Sequence, residues 1–136
     1  MFSRIARFQS PFLNDIALLV LRLALGGSML VAHGLVKFQN FGEQSTQFPD
    51  PFGFGGPLSM GLAVFAEMFC SILIILGALT RVAAIPLMIT MGTAFLVIHT
   101  ADAWNIKELA FVYLAGFFTL FCLGAGRFSV DGVLLK

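Results

Sequence analysis

Four stretches of this chain are apolar for about the length that crosses a lipid bilayer. They run from about Ile16 to Val36 (IALLVLRLALGGSMLVAHGLV), Leu58 to Leu79, Val82 to Thr100 and Lys107 to Leu123. A spanning helix needs roughly 20 mostly apolar residues, and none of the four alternates with period two as barrel strands do. The expected fold is all-α: an integral membrane four-helix bundle, one domain over residues 1–136, with an outer loop over about 39–56.

Composition agrees. Of the 136 residues 59% are apolar and 11% charged, against about 45–50% and about 25% in a soluble domain. That excludes a water-soluble globule, a disordered chain and a disulfide scaffold. The net charge of +1 argues against nucleic acid as a partner; the partner these runs require is the lipid bilayer. Cys70 and Cys122 both fall within spans and form no CxxC pair, so they read as small apolar packers.

The connections are short, with turn signals at Pro57–Ser59, Gly77–Arg81 and Gly124–Gly126. Pro86 is expected in about the first turn of the third helix, where its missing N–H costs little. The long connection, QNFGEQSTQFPDPFGFGG, carries Phe41, Phe48, Phe52 and Phe54 and reads as a cap lying at the membrane interface. Arg4, Arg7, Arg81, Arg127 and Lys136 fall on one side of the bundle and only Lys37 and Lys107 on the other. The asymmetry places both termini in the cytoplasm of a bacterial-type inner membrane. The first run is too long for a signal-peptide core and is read as a retained span.

The informative residues are those that lipid should exclude. Arg22, His33, Glu67, His99 and Glu108 lie inside apolar runs, where each costs on the order of 2–4 kcal/mol unless it faces the bundle interior. Counting about 1.5 Å per residue from the cytoplasmic end puts Arg22 at about 9 Å, Glu67 at about 18 Å, Glu108 at about 24 Å, and His33 and His99 at about 26 Å. Side chains lean toward their own helix N-terminus. His33 and His99 therefore lean inward and Glu67 leans up to meet them, while Arg22 leans away. At 100° per residue Arg22, Gly26, Met29, His33 and Lys37 form one stripe about 80° wide on the first helix. Lys37, Lys107 and Trp104 read as headgroup anchors.

RLALGG, the HG pair with Lys37 three residues on, Glu67 in the second span, LGALTR ending at Arg81, and GAGRFSVD from Gly124 to Asp131 together resemble the DoxX family of small four-helix membrane proteins. The resemblance runs from about Leu19 to Asp131. It implies a redox association, since relatives include the membrane subunit of thiosulfate:quinone oxidoreductases, and it marks Arg22, His33, Lys37, Glu67 and Arg127 as the matching residues.

Two functions follow as expectations. In one, the protein is a quinone-interacting or redox-associated membrane subunit. His33, Glu67 and His99 do the hydrogen bonding and proton exchange, Arg22, Lys37 and Glu108 help hold the cofactor, and the Phe-rich loop caps the pocket. The chain has no haem signature, dinucleotide loop or cysteine pair, so electrons must come through a quinone or a soluble redox partner. In the other, it is a non-enzymatic scaffold or assembly partner for such an enzyme, and the polar residues only fix helix register. Arg22 then snorkels or pairs with Asp131. No metal is expected, because the His and Glu ligands lack the Glu-x-x-His pairing of di-iron bundles. Whether the bundle acts alone or as an oligomer is open at this level.

Overall fold

The computed structural model describes residues 10–135; Arg4, Arg7 and Lys136 of the charge asymmetry lie outside them. Four long helices form the body: α1 (Pro11–Gln39), α3 (Gly56–Leu76), α4 (Thr80–Ile98) and α5 (Trp104–Leu123), each long and apolar enough to cross a membrane. Two short helices join them, α2 (Phe41–Gln44) in the long connection and α6 (Val130–Leu134) in the tail. No strand occurs among the described residues.

The helix ends differ from the apolar runs because capping, not hydropathy, sets them. Ser10 caps α1, its Oγ accepting from the Leu13 amide at 3.4 Å, and Pro11 takes the first helical position, where it lacks only an N–H that no carbonyl needed. The helix therefore starts before Ile16. Its 29 residues extend about 43 Å, more than a hydrocarbon core of roughly 30 Å, so it tilts or projects from the bilayer. α3 stops at Leu76 rather than Leu79 because Gly77 turns left-handed (φ 69°). Ala78 N–H then reaches Leu73 O at 2.9 Å and Gly77 N–H reaches Ile74 O at 3.1 Å, the two bonds that close a helix on glycine. α4 consequently begins at Thr80, and Pro86 sits inside it, in the second turn, not in the first as expected.

Three of the long helices carry a π-helical turn: Leu30–Gly34 toward the loop end of α1, Phe65–Cys70 in the middle of α3 and Ala94–Ile98 at the end of α4. A π turn inserts a residue into the helical register and re-aims the side chains around it. Here the turns hold His33 and Glu67 and end just before His99.

The core is made by Met29, Ile74, Leu87, Phe117 and Leu120, all fully buried. Val20, Val31, Leu96, Val112 and Phe118 are more than half exposed, the surface that acyl chains cover in a spanning bundle.

Candidate functional site

The loop end of the bundle encloses a cavity of about 470 Å³. α1 contributes His33 and Lys37, α3 Ser59, Leu62, Ala63 and Glu67, α4 Thr90, Met91 and Ala94, and α5 Leu109 and Tyr113. The long connection closes the top with Phe48, Pro49, Pro51, Phe52 and Phe54. A mostly apolar cavity of this size with a few converging polar groups is the usual form of a small-ligand site.

Its polar centre is an ion pair. Lys37 Nζ donates to Glu67 Oε2 at 2.5 Å, with Glu67 almost wholly buried and Lys37 largely so. Lys37 reaches inward because α1 and α3 touch at Gly34, whose Cβ, if present, would collide with the Glu67 carbonyl. Only glycine lets the two backbones approach so closely. One turn beyond that contact, Lys37 lies over the carboxylate. The headgroup-anchor reading of Lys37 is thus corrected: a partner charge inside the bundle draws the side chain in from the interface. His33 stands beside this pair, edge-on to the Tyr113 ring at 5.8 Å between centroids, and Tyr113 stacks on Phe117.

His33, Glu67 and His99 all line the one cavity, yet neither histidine is the hydrogen-bonding partner of Glu67. His99 stands at the rim, where Nδ1 lies 2.7 Å from Asp102 Oδ2 in the turn leading to α5. Glu108 is exposed on α5 and outside the cavity. Lys107 donates to the Thr100 carbonyl at 3.4 Å, and Trp104 packs against Phe95 and Phe111. Among the described residues no three His, Cys, Asp or Glu side chains gather as a metal ion would require.

Arg22 belongs to the opposite end. It is 1% exposed and donates through Nη2 to the Phe128 carbonyl at 2.6 Å. Its Nη1 occupies the space a Gly77 side chain would need, and among the described residues Nε and Nη1 have no hydrogen-bond partner. The expected Asp131 contact is indirect: Asp131 instead caps α4, accepting from the Leu79 amide at 2.8 Å and the Thr80 amide at 3.0 Å. Arg127 is likewise at this end, its amide donating to Asp15 at 2.9 Å. The GAGRFSVD tail is therefore a plug that ties α1, α3 and α4 together, and neither Arg22 nor Arg127 reaches the cavity.

Sequence reasoning passed over Asp50, Asp102 and Tyr113. Asp50 pins the cap to the start of α3: its carboxylate accepts from Phe54 N at 2.9 Å, Gly55 N at 2.8 Å and Ser59 Oγ at 2.8 Å. The Ser59 hydroxyl foremost, with the Gly55 amide next, holds its pKa below the ordinary carboxylate value. The FPDPFGFGGPLS string carried that signal, an aspartate followed by glycines and a helix start.

The DoxX family model matches residues 17–100. An uncharacterized protein of Haemophilus influenzae is 31% identical over 131 residues, covering 90% of this chain and 86% of its own length. A second uncharacterized protein of the same organism is 32% identical over 115 residues, covering 79% and 84%. An uncharacterized membrane protein of Mycobacterium tuberculosis is 32% identical over 126 residues, covering 76% and 77%. No solved structure matches significantly. With a family match over most of the chain, a bundle of four membrane-length helices and relatives that align along most of their length, the chain belongs to the DoxX family of multi-pass membrane proteins.

Proposed function

We propose that this membrane protein is a quinone-interacting, redox-associated subunit of a bacterial-type inner membrane, with both termini in the cytoplasm. The observation that carries the reading is the Lys37–Glu67 ion pair set into the wall of a mainly apolar cavity under an aromatic cap. The polar groups suit an apolar ring with polar oxygens: Lys37 offers N–H donors, the histidines offer ring nitrogens, and Leu62, Met91, Leu109 and Tyr113 offer apolar walls.

A bound quinone supplies the electron-accepting couple, and a soluble redox partner supplies the electrons. The chain itself binds and orients. Lys37 carries three N–H donors; one is held by Glu67, which leaves others to face a ring oxygen. Glu67 keeps that ammonium aimed into the cavity and holds an exchangeable proton site beside it. Phe48, Phe52 and Phe54 exclude water from above. Arg81 and Arg127 at the termini end, with Lys37 drawn inward at the other, support the orientation.

The test is quinone reduction in membranes. Glu67→Gln and His33→Ala abolish it while expression stays intact; unchanged turnover sinks the reading. A scaffold role is the second reading, favoured by Phe52 and Phe54, each more than half exposed on the cap. If it holds, deleting residues 42 to 54 loses the soluble partner and Glu67→Gln changes nothing.

A further inference from the structure

The rim of the cavity has a polarity of its own. His99 Nδ1 faces Asp102 Oδ2 at 2.7 Å, and an ionised carboxylate only accepts hydrogen bonds. Nδ1 must therefore carry the proton. The neutral imidazole then has a bare lone pair on Nε2, so His99, which lines the cavity, brings an acceptor to it and not a donor. Asp102 sets that tautomer as a carboxylate behind a histidine does elsewhere. The backbone helps: the Asp102 amide donates to the His99 carbonyl at 3.1 Å, closing the turn that places the two side chains together.

A quinone and its reduced form differ at this point. The quinone oxygens are carbonyls and only accept; the quinol oxygens are hydroxyls and can donate. Against an acceptor on Nε2 the carbonyl finds no partner and the hydroxyl finds one. We propose that the His99–Asp102 pair makes the cavity selective for the reduced, dihydroxy form of an aromatic ring ligand, with Asp102 as the positioning residue. This rests on the quinone reading of the same cavity.

Only the neutral ring of His99 offers this acceptor; a ring with both nitrogens protonated would hold two donors. The groups that share its surroundings are Asp102 in its own turn, His33 and Lys37 across the cavity from α1, Glu67 from α3, and Lys107 of α5, which donates to Thr100 O beside it. Of these, Lys37 and Glu67 are already paired to each other.

The experiment compares decylubiquinone with anaerobic decylubiquinol by calorimetric titration of the full chain in nanodiscs at pH 7.5. One added hydrogen bond corresponds to a preference of roughly three- to tenfold for the quinol. In Asp102→Asn the ratio falls toward one, and Asp102→Glu restores part of it. A ratio that is near one or favours quinone in the parent protein, or that survives Asp102→Asn, overturns the proposal. If neither form binds, the quinone reading itself fails and takes this one with it.

A second measurement needs neither ligand nor variant of Asp102. The chain has two histidines, so ¹⁵N-histidine spectra of the protein and of His33→Gln assign His99 directly. A protonated Nδ1 and bare Nε2 are expected at pH 7.5, and the opposite tautomer overturns the proposal even if Asp102→Asn does not fold.

Discussion

Gly34 of α1 lies so close to Glu67 of α3 that a methyl group on it would collide with the Glu67 carbonyl. The obstacle is backbone, not the end of a flexible side chain, so neither helix can yield by a rotamer change. This contact sets the separation at which Lys37 reaches the Glu67 carboxylate. Gly34→Ala therefore parts the helices, at a cost of about 1–3 kcal/mol for an overpacked site, and weakens the ion pair without touching either charge. Thermal unfolding in detergent measures the first effect. The second appears as loss of ligand binding in a protein that still folds.

Breaking the ion pair from one side is costlier than removing it. Lys37→Met leaves the Glu67 carboxylate buried with no counter-charge, a penalty of about 3–5 kcal/mol. Lys37→Met with Glu67→Gln recovers most of that stability, because no uncompensated charge remains. A double-mutant cycle on unfolding midpoints reads the coupling; additive effects would show that the two side chains do not interact.

The tail plug makes a parallel prediction at the other end. Asp131→Ala removes the acceptor of two amides at the start of α4, worth about 1–2 kcal/mol as a cap. It also removes the carboxylate whose charge bears on the buried Arg22 guanidinium. The loss should exceed that of a cap alone, and it should shrink in an Arg22→Met background, where no charge needs compensating. Equal losses in both backgrounds would separate the plug from Arg22.

Asp50 links the cap to pH. Its pKa is lower in the folded loop than in a free carboxyl, through Ser59 first and the Gly55, Phe54 and Gly53 amides. A depressed pKa means that the stabilisation is present above the unfolded value of about 3.9 and is lost as pH falls through the folded value. The cap should therefore loosen only in the acid range below about pH 4. Amide exchange at Phe54 and Gly55 measures it: exchange rises steeply there in the parent protein, and in Asp50→Asn it is fast and loses that pH step.

Much of the fold was legible in the residue order. Four apolar runs of spanning length appear as four helices, and Gly77, Gly124 and Gly126 punctuate them as expected, with φ of 69°, 81° and 76°. The ends were less legible where capping competes with hydropathy. Ser10 and Pro11 start α1 outside its apolar run, and the glycine closure of α3 moves the start of α4, and with it the place of Pro86. The stripe of Arg22, Gly26, His33 and Lys37 was correctly an inward face, but depth alone could not tell that Arg22 serves the tail plug and Lys37 the cavity.

Sequence by itself determined that this chain lives in lipid as a four-helix bundle and that Arg22 and Glu67, deep inside the runs, must turn inward, because a bilayer offers no water to solvate them. Only the tertiary structure decided which charge meets which. Glu67 pairs with Lys37 and not with a histidine, because a glycine contact and three π turns set the helix spacing and side-chain aim. Hydropathy carries depth and period; hydrogen bonds need positions good to a few tenths of an ångström, and those exist only once the helices have packed.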